Sequence, residues 1–394
     1  EGLRVQVADL DGNDGVYLMF DLGREEVGHL ELEIEASAGT IVDVGYGEHL
    51  DDGRVRTFVG RRNFAGRYIC CEGCQRFTHR FLRWAGRYLQ IQVHSGVFTL
   101  HGLALRRCDY PVEQRAEMET GHALHGRLLD VGCRTLRLCM HEHYEDTPWR
   151  EQALYANDAR TQALCGYYAF GESAMPAASF TLLGQGLRDD GFLHLTAPAA
   201  PPLTIPSFTF AWMLAVRDHF LYSGDDALAR AFLPQMLSML RAFLDERRDG
   251  LLPLRQGNGI WHFYDWSAGM SGYADEDFAQ GLDADAPLNC FLILALDAVL
   301  QVCDWCGEAG AEDLAAAATE LRRRVAERFW DAGEDAFRTH AQAQTLTELT
   351  QALAVLAGVG DVGMRERALE RMARRDSGLA GPGLSQSFYT FEAL

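Results

Sequence analysis

The hydrophobic pattern of this chain changes period once, and that change constrains its fold more than any other feature. From about Val16 to Leu105, apolar residues alternate with polar ones and the alternation is broken by glycine turns. His29-Leu30-Glu31-Leu32-Glu33-Ile34-Glu35 alternates acid with aliphatic, which puts one face of a strand in a core and the other in water. Ala38-Gly39-Thr40 and Asp51-Asp52-Gly53 supply turns. Further strands are expected from Ile41 to Tyr46, Gly66 to Cys71, Phe77 to Phe81, Tyr88 to His94 and Phe98 to Leu105. Many short strands at regular spacing predict an antiparallel β-sandwich over residues 1–107.

Residues 108–118 are charged, carry Pro111 and lack periodicity, so they read as a linker. Over 119–394 the spacing becomes helical, with Gly and Pro as punctuation. The expected helices run from Ala123 to Met140, Asp158 to Phe170, Ala177 to Leu187, Phe208 to Tyr222, Ala227 to Leu244, Leu288 to Trp305, Leu314 to Phe329, Thr345 to Leu356 and Met364 to Met372. A tenth begins near Ser385. Sequential hairpins of this kind close as an open solenoid or as a toroid of six hairpins, and no repeated signature supports a solenoid. A toroid needs twelve helices, so this one is expected to lack its last helices. The final residues, Ser387 to Leu394, read as the opening turns of a helix, and the chain reads as truncated at both ends.

Charge narrows the partners. The 394 residues carry a formal charge of −20, and all 36 basic residues are arginine. Nucleic acid and anionic membranes are repelled on average by such a chain, while a neutral ligand is not. No apolar run is read as reaching the roughly 20 residues that span a bilayer, so neither a membrane nor nucleic acid is an expected partner. The ten cysteines show no framework of regular spacing, and several fall in apolar helical stretches. They read as reduced core residues, which favours a cytoplasmic setting. Cys70-Cys71-x-x-Cys74 resembles half of a metal site, but a structural zinc needs about four ligands and no second pair follows. No metal or cofactor is expected.

The chemistry concentrates between Asp146 and Asp158. Three carboxylates (Asp146, Glu151, Asp158), Arg150, Trp149 and Tyr155 fall within thirteen residues. If Thr147 caps a helix and Pro148 takes its first position, Glu151 and Asp158 share one helical stripe. Two readings of these residues stand side by side. In one, Asp146 and Thr147 cap, Glu151 favours the positive end of the helix dipole and Arg150 makes a surface pair. In the other, carboxylates beside rings grip a sugar and protonate its glycosidic oxygen. A second cluster, Trp261-His262-Phe263-Tyr264-Asp265-Trp266, lies in the glycine-rich loop from Gly257 to Gly272. It suits a sugar platform with Trp261, Tyr264 and Trp266 around Asp265, or equally a loop that packs its rings inward. No phosphate-binding loop, dinucleotide fingerprint, nucleophile elbow or zinc-protease motif occurs. Carboxylate chemistry remains.

The run Asp146-x-Pro148-x-Arg150-Glu151, with Asp158 seven residues after Glu151, resembles bacterial α-L-rhamnosidases of glycoside hydrolase family 78. Phe20-Asp21-Leu22-Gly23-Arg24-Glu25, Gly45-Tyr46-Gly47-Glu48 with Asp51-x-Gly53, and Gly86-Arg87-Tyr88 resemble that family's β-sandwich. Ile205-Pro206-Ser207-Phe208, Tyr222-Ser223-Gly224-Asp225, Asp265-Trp266 and Leu288-Asn289 resemble its helical domain. The resemblance implies an (α/α)6 toroid behind a β-sandwich and hydrolysis of terminal α-L-rhamnose from a small-molecule or oligosaccharide rhamnoside, with inversion. It places Glu151 as general acid, Asp146, Arg150 and Asp158 on the rhamnose hydroxyls, and Asp265 with Trp266 on a sugar-contacting loop. Many relatives carry one more residue between the Arg and the Glu and a Trp where Tyr155 stands. The family's general base lies in a late Thr-Thr-x-Trp-Glu-like motif that does not occur here, and neither Glu348 nor Glu392 substitutes for it. The base is therefore expected beyond Leu394. Two alternatives stand beside this reading: another six-hairpin glycosidase of different sugar specificity, and a non-catalytic carbohydrate-binding protein.

Overall fold

A computed structural model describes residues 3–7, 15–199, 201–255, 257, 259–272 and 283–394. The chain forms two compact units, Glu1–Ala153 and Leu154–Leu394. The division falls inside the acidic, aromatic segment.

The first unit contains strands β1 (Leu3–Val7), β2 (Val16–Ala36), β3 (Ile41–Gly47), β4 (Leu50–Asp51), β5 (Arg54–Val55), β6 (Phe58–Val59), β7 (Arg62–Asn63), β8 (Ala65–Ile69), β9 (Gly73–Thr78), β10 (Trp84–Val93) and β11 (Gly96–Arg107), then helix α1 (Ala123–Leu138). Seven of the strands form one antiparallel sheet in the order β1-β11-β2-β10-β3-β8, with β9 also on β2. The 21-residue β2 serves two strand groups. Its first part pairs with β10, its last nine residues pair with β11 on one edge, and its last six pair with β9 on the other.

The alternation read from sequence is realised on β2. Leu30, Leu32 and Ile34 are buried while Glu33 and Glu35 are exposed. Each buried aliphatic contributes roughly 1.5–3 kcal/mol. Val42, Val44, Leu89, Ile91 and Phe98 complete that core, with Tyr46 stacked on Trp84 at 4.3 Å between centroids. The strand expected from Phe77 to Phe81 stops at Thr78. There the Leu82 amide donates to His79 Nδ1, the chain turns, and Phe81 is left 95% exposed with no face to cover.

The second unit holds α2 (Ala156–Phe170), α3 (Ala174–Gln185), α4 (Pro206–Ser223), α5 (Ala227–Asp245), α6 (Ala286–Cys306), α7 (Glu312–Phe329), a two-stranded ribbon β12 (Trp330–Asp331) and β13 (Ala336–Phe337), α8 (Glu348–Leu356), α9 (Val362–Met372) and α10 (Ser387–Ala393). Helices start where sequence chemistry starts them. Asp285, Thr347 and Asp361 accept from the backbone amides of Leu288, Thr350 and Met364 and so cap α6, α8 and α9. Gly224, at φ 73°, ends α4 in the left-handed region that a side chain disfavours.

Alternate helices form an inner layer. α4 packs between α2 and α6, α6 between α4 and α8, and α8 between α6 and α10, while α3, α5, α7 and α9 alternate with them in sequence. α4 and α6 are apolar on nearly every side because they are buried on nearly every side. One of them corrects the reading of membrane length: α6, 21 residues long, is apolar enough by length and composition to cross a bilayer. Most of it is buried against α4, α7 and α8 as a core helix.

Candidate active site

In the first unit, the segment around Asp146 is a closed loop and not a helix start. Residues 148–151 make one turn, with the Glu151 amide donating to Thr147 Oγ1 at 3.4 Å and the Gln152 amide to the Thr147 carbonyl at 3.2 Å. Gln152 then takes φ 54°, which ends the turn. Its side-chain amide donates to the Pro148 carbonyl at 2.7 Å and fills the acceptor that a continuing helix would have used. Asp146 closes the loop: its amide donates to the Ala153 carbonyl and its Oδ1 accepts from the Ala153 amide, both at 2.9 Å. Helix α2 begins at Ala156 with Tyr155 as N-cap. The expected helix from Thr147 is thereby corrected, and Glu151 and Asp158 do not share a helical stripe.

This loop brings Asp146 and Glu151 together. Burial, then the negative charge of Glu151 beside it, raise the Asp146 carboxyl to about 7, against the Ala153 amide that favours its charged form. Glu151 keeps 20% of its side chain exposed and meets two guanidiniums, Arg62 at 3.2 Å and Arg150 at 3.7 Å. Trp149 is buried, its ring 4.6 Å from Phe64 and edge-on to His49 at 5.6 Å. It anchors the loop and presents no face to a sugar. Arg62, on β7, is the residue that sequence reasoning missed, because nothing in the local pattern ties it to a carboxylate 89 positions on.

A second carboxyl pair lies in the same unit. Burial and the neighbouring Glu48 carboxylate raise Glu25 to about 7. Glu48 follows Gly47, which approaches Gly86 so closely that a side chain at Gly86 would meet the Gly47 backbone at 2.5 Å. Burial first, then Glu145, Asp146, Glu25 and Glu48, push the Cys139 thiol up to about 12. Arg83 balances part of this charge by pairing with Glu142 and Glu145, and His141 Nδ1 lies 3.2 Å from Glu145.

In the second unit, Asp158 sits half-buried in the first turn of α2. Two residues further on, the buried Arg160 pairs with Asp218 at 2.8 Å and donates to the Tyr389 hydroxyl at 3.1 Å. Tyr389 donates in turn to Asn157 Oδ1 at 3.0 Å. These four side chains, spread over 232 positions, tie α2 to α4 and α10. Tyr155, half-buried, meets Phe208 edge-on at 6.4 Å.

The aromatic loop divides into inward and outward rings. Tyr264 is buried and donates to Asp285 Oδ2 at 2.6 Å, which makes it a core residue. Asp265 is also buried, its two oxygens accepting from the amides of Trp266 at 2.8 Å and Gly383 at 2.7 Å. Trp266 is 73% exposed, with Trp261 5.6 Å away and half-buried, its indole N–H on the Ser271 carbonyl. Position 258 of this loop is outside the described residues. Among the described residues no group of His, Cys, Asp and Glu is arranged to hold a metal ion.

Residues 113–377 match the family model of the bacterial α-L-rhamnosidase 6 hairpin glycosidase domain, and residues 12–105 that of the bacterial α-L-rhamnosidase concanavalin-like domain. No curated protein sequence matches the chain. Among solved structures, it is similar to a GH78 family rhamnosidase of Bacillus sp. GL1, at 27% identity and a TM-score of 0.87 over 98% of this chain and 40% of that one. A rhamnosidase from Klebsiella oxytoca with rhamnose bound matches at 16% identity and a TM-score of 0.76, over 96% of this chain and 76% of that one. A Streptomyces avermitilis α-L-rhamnosidase complexed with L-rhamnose matches at 19% identity and a TM-score of 0.68, over 90% of this chain and 33% of that one. The last two likenesses bear on the fold: an antiparallel sheet unit followed by a six-hairpin helical domain. The chain spans about 40% of the length of the Bacillus protein.

Proposed function

The chain belongs to the bacterial α-L-rhamnosidase six-hairpin glycosidase family, and from that premise we propose that it carries the acid half of a glycoside hydrolase that releases terminal α-L-rhamnose. The observation that supports this most is the closed loop that holds Asp146 and Glu151 side by side and leaves Glu151 partly exposed. A glycosidic oxygen leaves readily only when a carboxylic acid protonates it.

Glu151, partly exposed, is the group assigned to protonate the leaving oxygen. Asp146, raised to about 7 and bound to the Ala153 amide, holds the pair together and accepts a rhamnose hydroxyl. Arg150, on the same loop, takes another hydroxyl; within the helical unit, Asp158 on α2 and the ring face of Trp266 with Trp261 are that unit's own candidate sugar contacts. Asp265 acts by holding the Trp266 backbone in place. Inversion requires a second carboxyl group roughly 6.5–9.5 Å away to activate water. No carboxylate of this chain is assigned that role; Glu348 is engaged by Thr390, whose hydroxyl donates to it at 2.8 Å.

The test uses the complete protein on nitrophenyl α-L-rhamnoside, followed by NMR of the first anomer released. Turnover with inversion is expected. Turnover confined to a different α-linked sugar, or rhamnose binding without turnover, would refute the proposal.

A further inference from the structure

The hairpin next to Glu151 is locally basic in an acidic chain. Residues 56–63 include Arg56, Arg61 and Arg62 and no acid, in a chain of net charge −20. All three arginines are exposed. Arg62 pairs with Glu151 at 3.2 Å, whereas Arg56 and Arg61 have no carboxylate partner among the described residues. Several other arginines of the same unit are matched to acids, among them Arg67 to Asp43, Arg87 to Asp21 and Arg106 to Glu31.

The hairpin is also held in place. Phe58 pairs with Asn63 and Val59 with Arg62, the turn being made by Gly60 and Arg61 at φ 56° and 65°. At its base the Phe64 amide donates to the Thr57 carbonyl at 2.7 Å, and the Phe64 ring packs on Trp149. Trp149 belongs to the loop that carries Glu151, so hairpin and acid are fixed on one packed support.

This inference rests on Glu151 being the general acid. An acid must lie within hydrogen-bond reach of the glycosidic oxygen, so the group that departs sits on the same side as its carboxyl. Arg62 touches that carboxyl, which places the hairpin beside the leaving group. Guanidinium forks match carboxylate and sulfate oxygens two at a time. We propose that the Arg56–Asn63 hairpin is a subsite for an anionic leaving group, a sugar bearing a carboxylate or sulfate next to the rhamnose.

The experiment compares kcat/KM of the complete protein on rhamnose α-linked to glucuronic acid, to a sulfated glucose and to glucose, beside nitrophenyl α-L-rhamnoside. At low ionic strength the acidic disaccharides are expected to be preferred over the neutral one by on the order of tenfold, with the preference shrinking as salt is added. In an Arg56→Gln/Arg61→Gln double variant the acidic-to-neutral ratio should fall about fivefold, the scale of two exposed ion pairs. Because both substrates are read on one preparation, partial unfolding cancels from the ratio. Preference for only one acidic disaccharide identifies the carboxylate or the sulfate as the anion and supports the proposal. Equal rates on acidic and neutral disaccharides, or an unchanged ratio in the variant, would overturn it. A wild type inert on every rhamnoside would instead overturn the reading of Glu151, and the subsite with it.

Discussion

Trp149 packs its ring against Phe64 at 4.6 Å, and this contact fixes the loop that carries Asp146 and Glu151 to the core of the sheet unit. Trp149→Ala should therefore cost about 3–5 kcal/mol, the scale of an emptied aromatic site. Trp149→Phe, which keeps a ring against Phe64, should cost less. Chemical denaturation of both variants measures this. A cost below about 1 kcal/mol for the alanine variant would mean that the ring is not the anchor.

Asp146 predicts a pH dependence of stability with a definite sign. Its carboxyl titrates near 3.8 when exposed and at about 7 in the fold, so between those values the folded state binds more protons than the unfolded one. The contribution of Asp146 is favourable below the lower value and is lost as pH rises towards 7. Asp146→Asn keeps an oxygen for the Ala153 amide and removes the titration. Relative to wild type, the variant should gain melting temperature as pH rises from 4 to 8, with the two curves closest at the acid end. A difference independent of pH would contradict the assignment.

Tyr389 joins Arg160 to Asn157 inside the helical unit, accepting from one and donating to the other. Tyr389→Phe leaves both short of a partner in a buried place, so a loss of about 1–3 kcal/mol is expected. Hydrogen exchange should also show α10 loosening first, since the hydroxyl is part of what ties it to α2. Wild-type exchange rates in α10 would count against this role.

Trp266 gives the opposite pattern. At 73% exposure, Trp266→Ala should change stability by no more than about 0.5 kcal/mol. If its ring stacks on the sugar, KM for a rhamnoside should rise several-fold, in line with roughly 1 kcal/mol for an aromatic contact. Unchanged KM in a stably folded variant would remove Trp266 from the sugar platform.

Much of this architecture is legible in the residues. Leu30, Leu32 and Ile34 announce their strand because alternation is imposed by the one-sided burial of β2, and Asp285 and Asp361 announce their helices because a cap is a local interaction. What escapes is set by distant partners. Thr147-Pro148 has the chemistry of a helix start, yet Gln152 diverts the chain, and the Asp146–Ala153 hydrogen bonds close it into a loop. Rings are the hardest to place: Trp149 and Tyr264 look as available to a sugar as Trp266, and only Phe64 and Asp285 reveal that they are spent on the core. Arg62 and the Arg160–Asp218 pair join positions 89 and 58 residues apart, which no local pattern records.

The most direct test of Glu151 as the proton donor is Glu151→Gln in the complete protein, assayed on nitrophenyl α-L-rhamnoside and on a rhamnosyl disaccharide. A general acid contributes about 10²–10⁴-fold, and more where the leaving group is a poor one. The variant should lose turnover of the disaccharide by at least that factor and lose less on the nitrophenyl glycoside, whose leaving group needs little protonation. Equal, small losses on both substrates would contradict the assignment of Glu151.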